Sequence, residues 1–208
     1  MKINIPFYIS IFSILVLYSS CSPVSLHKTV HESGDYNLDR VLIIGLSNNH
    51  EARSMYEEEL SYRLRDLGYH MFSSVNVDPN KKELFTLDEL IELVEEKDID
   101  GVITMRLKEI TSEEKYSTSD RYISDPLSMQ NYFFNYANSY YNVYSWSYLP
   151  KQTVVVEANL FDAKNKKLIY QIEATITNVD SEEERAEDLT KSFAKSLVST
   201  GFLKPKGS

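Results

Sequence analysis

The sequence predicts a mixed α/β domain in which about five strands form one sheet packed by three helices. Apolar runs of strand length alternate with helical stripes in the first half of the chain. Two runs with a period of two follow an interruption, and a last helical stripe comes after them. The predicted order is therefore β-α-β-α-β, an insertion, then β-β-α. Composition agrees with a folded domain, since 42% of residues are hydrophobic and 25% are charged.

The first strand and the first helix have the clearest signals. Residues 41–46 (VLIIGL) are a nearly unbroken apolar run, which is typical of a strand covered on both faces. An apolar stripe then predicts a helix from about Asn49 to Leu67, with Gly68 placed to end it. A weaker strand is predicted over 69–75, followed by a turn over 76–83.

The second helix is predicted from its amino-terminal signal. Thr86 and Glu89 have the spacing of a capping box, and the helix should end near Lys97. A third strand is predicted over 102–110. Because strand and helix alternate twice, the first three strands should be parallel, with right-handed connections.

The pattern of apolar and polar residues changes after residue 150. Residues 154–160 and 168–176 alternate between apolar and polar side chains across the polar turn 162–167. This pattern predicts an antiparallel hairpin with one face on the core. Ser181 and Glu184 then open a last helix, which Gly201 should end.

The amino terminus has the features of an export signal. Residues 1–20 combine Lys2 with an apolar stretch that is too short for a membrane span of about 20 residues. Leu17-Tyr18-Ser19-Ser20-Cys21 resembles the lipobox of bacterial lipoproteins, which implies cleavage before Cys21 and acylation of it. Ser22 in the next position resembles lipoproteins sorted to the outer membrane. The alternative is a simple secretory signal that leaves a free thiol.

The domain boundaries follow from these signals. Residues 21–38 lack periodicity, so we predict an acylated cysteine followed by a flexible tether. A single α/β domain is predicted over 39–204. It contains an insertion over 111–152 that follows the third parallel strand, at the sheet edge where open α/β folds place their ligands.

The insertion is rich in tyrosine. A protein contact surface is the favoured interpretation, because Tyr and Trp offer rigid area and a polar tip. A membrane-interface element and a self-packed surface loop are the alternatives. The candidate interaction residues are Tyr132, Phe134, Tyr136, Tyr140, Tyr141, Tyr144, Trp146 and Tyr148.

The sequence has no clear catalytic, cofactor-binding or metal-binding motif. No residue is therefore predicted to be catalytic or to bind a cofactor or a metal. The glycines form no phosphate-binding run, and no nucleophile elbow or zinc motif is present. His27 and His31 have metal-ligand spacing but fall in the predicted tether, where solvated side chains are expected. His50 is interpreted as an ordinary residue at a helix start, and the acidic run 57–59 as a solvated helix face. The formal charge of −9 argues against nucleic acid as a partner.

The order of elements resembles a group of bacterial envelope lipoprotein domains. The group includes the amino-terminal domain of TolB, the activator lipoproteins of penicillin-binding proteins and the curli secretion channel subunit. The resemblance spans about residues 38–203 and implies a non-enzymatic module that binds an envelope protein or its own copies. We therefore expect a lipid-anchored, periplasm-facing protein of the outer membrane. A hydrolase of wall or glycan material and a subunit of an oligomeric secretion pore are the alternatives.

Overall fold

The computed structural model describes residues 24–47, 49–111, 153–177 and 181–207. They form a six-stranded sheet with four helices, in the strand order β1-β6-β5-β4-β2-β3. The strands are β1 (Val24–Val30), β2 (Arg40–Gly45), β3 (His70–Ser73), β4 (Gly101–Thr111), β5 (Thr153–Asp162) and β6 (Lys167–Thr177). The helices are α1 (His50–Asp66), α2 (Ser74–Val77), α3 (Leu87–Glu96) and α4 (Glu182–Val198). The predicted mixed α/β class is confirmed.

The parallel half of the sheet is built as predicted. β2 pairs in parallel with β3 on one side and with β4 on the other. Helix α1 connects β2 to β3, and α2 and α3 lie between β3 and β4. The second strand ends earlier than predicted, at Ser73, because the single helical turn of α2 takes up Ser74–Val77, across the predicted boundary between strand and turn.

The antiparallel half contains the predicted hairpin. β5 pairs with β6 across the turn, and β5 also pairs antiparallel with β4. The register of β4 and β5 shifts between Leu107 and Glu109, where the chain forms a bulge. Thr111 and Thr153 are direct partners, so segment 112–152 leaves and re-enters the sheet on neighbouring strands.

The predicted tether is wrong for residues 24–30. These residues form β1, which pairs antiparallel with β6 from Val24 opposite Ile176 to Val30 opposite Tyr170. Leu26 is partly buried against the core, whereas Ser25 and His27 are exposed. The alternation in β1 is weak because Val24 and Leu26 pack against the core, whereas Lys28 and Val30 on the same face are exposed. Its stability comes from β6, which lies far away in the sequence.

The sheet has a core on each face. Helices α1 and α4 cover the larger core, to which Leu60, Leu64 and Phe193 contribute. Helix α3 covers the smaller core, in which Leu90 and Leu93 pack against β2 and β4 residues. The prediction that only one face of β5 is covered is therefore wrong: Glu157 and Asn159, on its other face, are buried as well.

All three long helices begin with a side-chain cap, and those of α3 and α4 are the predicted residues. The Asn49 side chain accepts the backbone N–H groups of Glu51 and Ala52, and Ser181 accepts that of Glu184. Thr86 and Glu89 form the complete capping box of α3. Such side-chain acceptors satisfy amide groups that have no partner inside the helix.

The capping box of α3 predicts an acid-sensitive contribution to stability. Glu89 accepts a hydrogen bond from Lys81 Nζ at 2.7 Å and another from the Thr86 backbone N–H at 2.7 Å. These bonds, that from Lys81 first, lower the pKa of Glu89 from 4.5 to about 2. Because this pKa is lower in the folded state, the contribution is complete above pH 4.5 and disappears as the pH falls toward 2.

We expect the free energy of unfolding to fall less between pH 6 and pH 2.5 in Glu89→Gln than in the wild type. Urea unfolding at each pH measures it. The difference should be about 1 kcal/mol or less, because the Glu89 side chain is 43% exposed and solvent screens its ion pair. Glu92→Gln, at an exposed position of the same helix, should leave the pH profile unchanged. Equal profiles for the wild type and Glu89→Gln would contradict the assignment.

Candidate functional site

The carboxyl ends of β2 and β3 form the crevice where an open α/β sheet usually places its ligand. Helix α1 follows β2 and packs on the larger core, whereas α3 follows β3 and packs on the opposite face. The space between the ends of these two strands, next to Gly45 and Ser73, is a crevice that a side chain of α1 reaches.

The side chain of Glu57, from α1, fills this crevice and is fully buried. Its Oε1 accepts the Gly45 backbone N–H at 2.7 Å and the Ser74 hydroxyl at 2.8 Å. Its Oε2 accepts the Ser73 hydroxyl and the Val75 backbone N–H, both at 3.1 Å. The carboxylate thus occupies the place of an anion, at the junction of β2, β3 and α2.

Arg53 lies one helical turn before Glu57 and is also buried. Its Nη2 donates to the backbone oxygens of Lys81 and Lys82 at 3.2 and 3.0 Å, which holds the chain ahead of α3. A Cβ atom on Gly45 would lie 2.9 Å from Arg53 Cγ, so only glycine allows α1 to approach β2 this closely.

Burial dominates the electrostatics of this cluster. It raises the pKa of Glu57, while hydrogen bonds from Gly45, Ser74 and Val75 and the charge of Arg53 act in the opposite direction. Burial also lowers the pKa of Arg53, against the attraction of Glu57. Glu57 accepts four hydrogen bonds from inside the fold, so its chemistry is that of a structural clamp. Arg53 Nε is buried without a hydrogen-bond partner among the described residues.

The prediction that run 57–59 is a solvated helix face is wrong for Glu57. The sequence carries one signal that could have placed it: Arg53, Glu57, Leu60 and Leu64 recur at spacings of four, three and four. That is the spacing of a buried helix face. Arg53 and Glu57 are charged, and charged side chains usually indicate an exposed helix face, so the buried face is hard to recognise from the sequence.

A second polar cluster lies on the face of the antiparallel strands opposite α1 and α4. Arg106, Glu157, Glu173 and His27 are direct cross-strand neighbours on β4, β5, β6 and β1. Directly opposite residues on one sheet face lie about 4.5–5.5 Å apart between Cβ atoms. The register therefore assembles one row of charged side chains across four strands.

The carboxylates of this row are held by cations. Arg106 donates to both oxygens of Glu157, from Nε at 2.9 Å and from Nη2 at 3.2 Å, and Asn159 Nδ2 donates to Oε1 at 2.8 Å. Glu173 pairs with Lys108. The Glu157 side chain is only 4% exposed, which strengthens a bidentate pair.

A shallow groove of about 640 Å³ runs between α1 and the start of α4. Glu58, Glu59, Glu183 and Glu187 are among its lining residues, together with Met55 and Tyr62. Arg63 crosses between the helices, pairing with Glu59 at 2.7 Å and with Glu187 at 3.6 Å. The groove is acidic and exposed.

The two predicted functional features lie outside the described residues. These features are the lipidation residue Cys21 and the aromatic set of segment 112–152, from Tyr132 to Tyr148. Three of the four histidines lie in different elements. His27 lies on β1 and His50 begins α1, whereas His70 lies on β3, where its Nδ1 is 2.9 Å from Asp39 Oδ1.

The described part of the chain has neither a metal-ligand cluster nor a membrane-spanning helix. Its His, Asp and Glu side chains form no group of three or more that could hold a metal ion. Within the same residues, no helix has the length and apolarity needed to cross a membrane.

Comparison with known proteins identifies no family. No family model matches the chain. No curated protein matches it. The predicted resemblance to TolB-type and related lipoprotein domains therefore stays a prediction.

Several solved structures resemble the chain, among them two PelC dodecamers from Paraburkholderia phytofirmans. One, of a PelC variant, has a TM-score of 0.45 and 14% identity, and covers 83% of this chain and 96% of that chain. The other has a TM-score of 0.46 and 14% identity, and covers 84% of this chain and 94% of that chain. TM-scores this low carry no argument about function.

Proposed function

We propose that this protein is a lipid-anchored, non-enzymatic module of the bacterial outer membrane. Cys21 carries the anchor, and the domain faces the periplasm. The aromatic residues of segment 112–152 bind an envelope protein or a second copy of the chain. The lipobox-like run that ends at Cys21 supports the anchor.

The observation that carries the binding role is the place of segment 112–152 in the sheet. It connects β4 to β5, whose ends Thr111 and Thr153 are direct partners about 5 Å apart. Two residues suffice to join strands in that arrangement. The fold therefore does not need this long segment. Long excursions that a topology does not require are commonly functional.

The carboxylates of the described residues support a non-enzymatic role. Glu57 accepts four hydrogen bonds inside the fold, and Glu157 is held by Arg106 and Asn159. Glycoside hydrolysis needs one carboxyl group that gives up a proton and another that faces water or the sugar. Both Glu57 and Glu157 are buried against protein donors, so neither faces water or has room for a sugar beside it.

Crosslinking and capture from native membranes test the binding role. One variant replaces segment 112–152 with Asn-Gly, the two-residue turn that suits an antiparallel pair. A second keeps the full length and changes the eight candidate aromatics to serine. Tyr62→Ser is the matched control, because Tyr62 is an exposed aromatic on α1, 62% accessible.

We expect both segment variants to lose capture of the partner and Tyr62→Ser to retain it. Circular dichroism should show that the serine variant is folded. Unchanged capture by a folded serine variant would contradict the contact surface. Turnover of peptidoglycan fragments that Glu157→Gln abolishes would overturn the non-enzymatic role.

A further inference from the structure

The link between the proposed anchor and the domain is short. β1 begins at Val24, three residues after Cys21, and pairs with β6 along its whole length. An extended chain spans at most about 3.6 Å per residue, so Val24 can lie no more than about 11 Å from Cys21. A tether that continued to residue 38 would have allowed the domain to move freely.

The strand register shows which end of the sheet lies beside the anchor. Ile176 is opposite Val24 on β1 and opposite Val154 on β5. Thr153, next to Val154, pairs with Thr111 at the end of β4. β4 is parallel to β2, and β2 to β3, so all three strands run toward this end, and β4 continues to it from Met105, where β2 stops.

We infer, on the basis of the proposed acylation of Cys21, that this end of the sheet is the surface that faces the lipid bilayer. The two points where segment 112–152 joins the sheet then lie close to the membrane. Three strand spacings separate β1 from β4 in the sheet order, about 14 Å. The partner surface proposed above therefore begins in the membrane-proximal layer.

The charge of this end determines the lipid that suits it. Helix α4 begins here, shortly after β6 ends, and Glu183 and Glu184 in its first turn are exposed. An anionic surface would repel these carboxylates within a Debye length of about 8 Å at physiological salt. Zwitterionic headgroups are therefore the favoured surface, and anionic lipid should weaken the contact.

Fluorescence quenching on vesicles tests the inference, and the sequence makes the labelling simple. Cys21 is the single cysteine of the chain, and acylation blocks it, so one introduced cysteine takes the label. Ser25→Cys places a fluorophore near Val24 on the exposed side of β1. Lys206→Cys places it beside Gly68, at the opposite corner of the sheet, five strand spacings or about 24 Å away.

The acylated protein is reconstituted into phosphatidylethanolamine vesicles with a headgroup spin-labelled lipid. We expect at least about twofold more quenching at position 25 than at position 206, given their separation across the sheet. Insertion of twelve Gly/Ser residues between Pro23 and Val24 should remove the difference, because such a linker spans about 20 Å. Adding phosphatidylglycerol should reduce quenching at position 25.

Vesicle flotation distinguishes a failure of the proposed anchor from a failure of the inferred membrane-facing end. If the wild type does not float with the vesicles, the proposed anchor is wrong. If it floats but positions 25 and 206 are quenched equally, the anchor stands and the membrane-facing end is wrong.

Discussion

Cys21→Ala is expected to move the protein from the membrane fraction to the soluble fraction. Each buried methylene contributes about 0.8 kcal/mol, and a single acyl chain gives only reversible binding. The lipobox resemblance implies three chains on Cys21, so the loss of attachment should be nearly complete. Fractionation of cells that express each form measures it.

Intact-mass measurement supplies the chemical test of the anchor. The wild type should lack residues 1–20 and carry the mass of the lipid on Cys21. Ser22→Ala is the matched control, since it changes the neighbouring residue without removing the acylated sulfur. An unmodified thiol at residue 21 in the wild type, or a retained leader, would contradict the anchor and the membrane-facing end inferred from it.

Glu57→Ala is expected to produce the largest loss of stability among substitutions in the described domain. It removes the acceptor of two backbone N–H groups and two hydroxyls. It also removes one of the two acidic charges, those of Glu57 and Glu83, that favour the charged form of the buried Arg53. A buried donor that loses its acceptor typically costs about 1–3 kcal/mol, so a total loss of about 3 kcal/mol or more is expected. Urea unfolding of the two forms measures the difference.

Two further substitutions separate the clamp from a general effect on helix α1. Glu58→Ala changes the next residue, which is exposed, and should alter stability by less than about 0.5 kcal/mol. Glu57→Gln keeps the shape but points an N–H₂ group at groups that are themselves donors, so its cost should lie between the other two. Equal stability of Glu57→Ala and Glu58→Ala would contradict the clamp.

Much of the fold could be predicted because its signals are local. Thr86 and Glu89 are three residues apart, as are Ser181 and Glu184, so each cap can be recognised from residues within one helical turn. The hairpin of β5 and β6 follows from two alternating runs and a short turn. Contacts between near neighbours in the chain can be derived from spacing alone.

The candidate sites could be predicted much less well. Glu57 was assigned to solvent because its neighbours Glu58 and Glu59 are acidic, yet the crevice between β2 and β3 buries it. Glu157 was assigned to an open face because it alternates with apolar residues, yet Arg106 on β4 holds it in a buried pair. The partners of both carboxylates come from other elements, which spacing within one element does not reveal.

Local spacing suffices to predict the caps of α3 and α4 and the parallel and antiparallel halves of the sheet, while lipid attachment at Cys21 stays a prediction. Residues 24–30 become a strand only in the folded sheet, because the edge of β6 supplies hydrogen-bond partners that a weakly alternating segment lacks. The tertiary structure also decided that a carboxylate fills the crevice of the parallel strands. Both outcomes depend on groups that are far apart in the chain and come into contact only in the complete sheet.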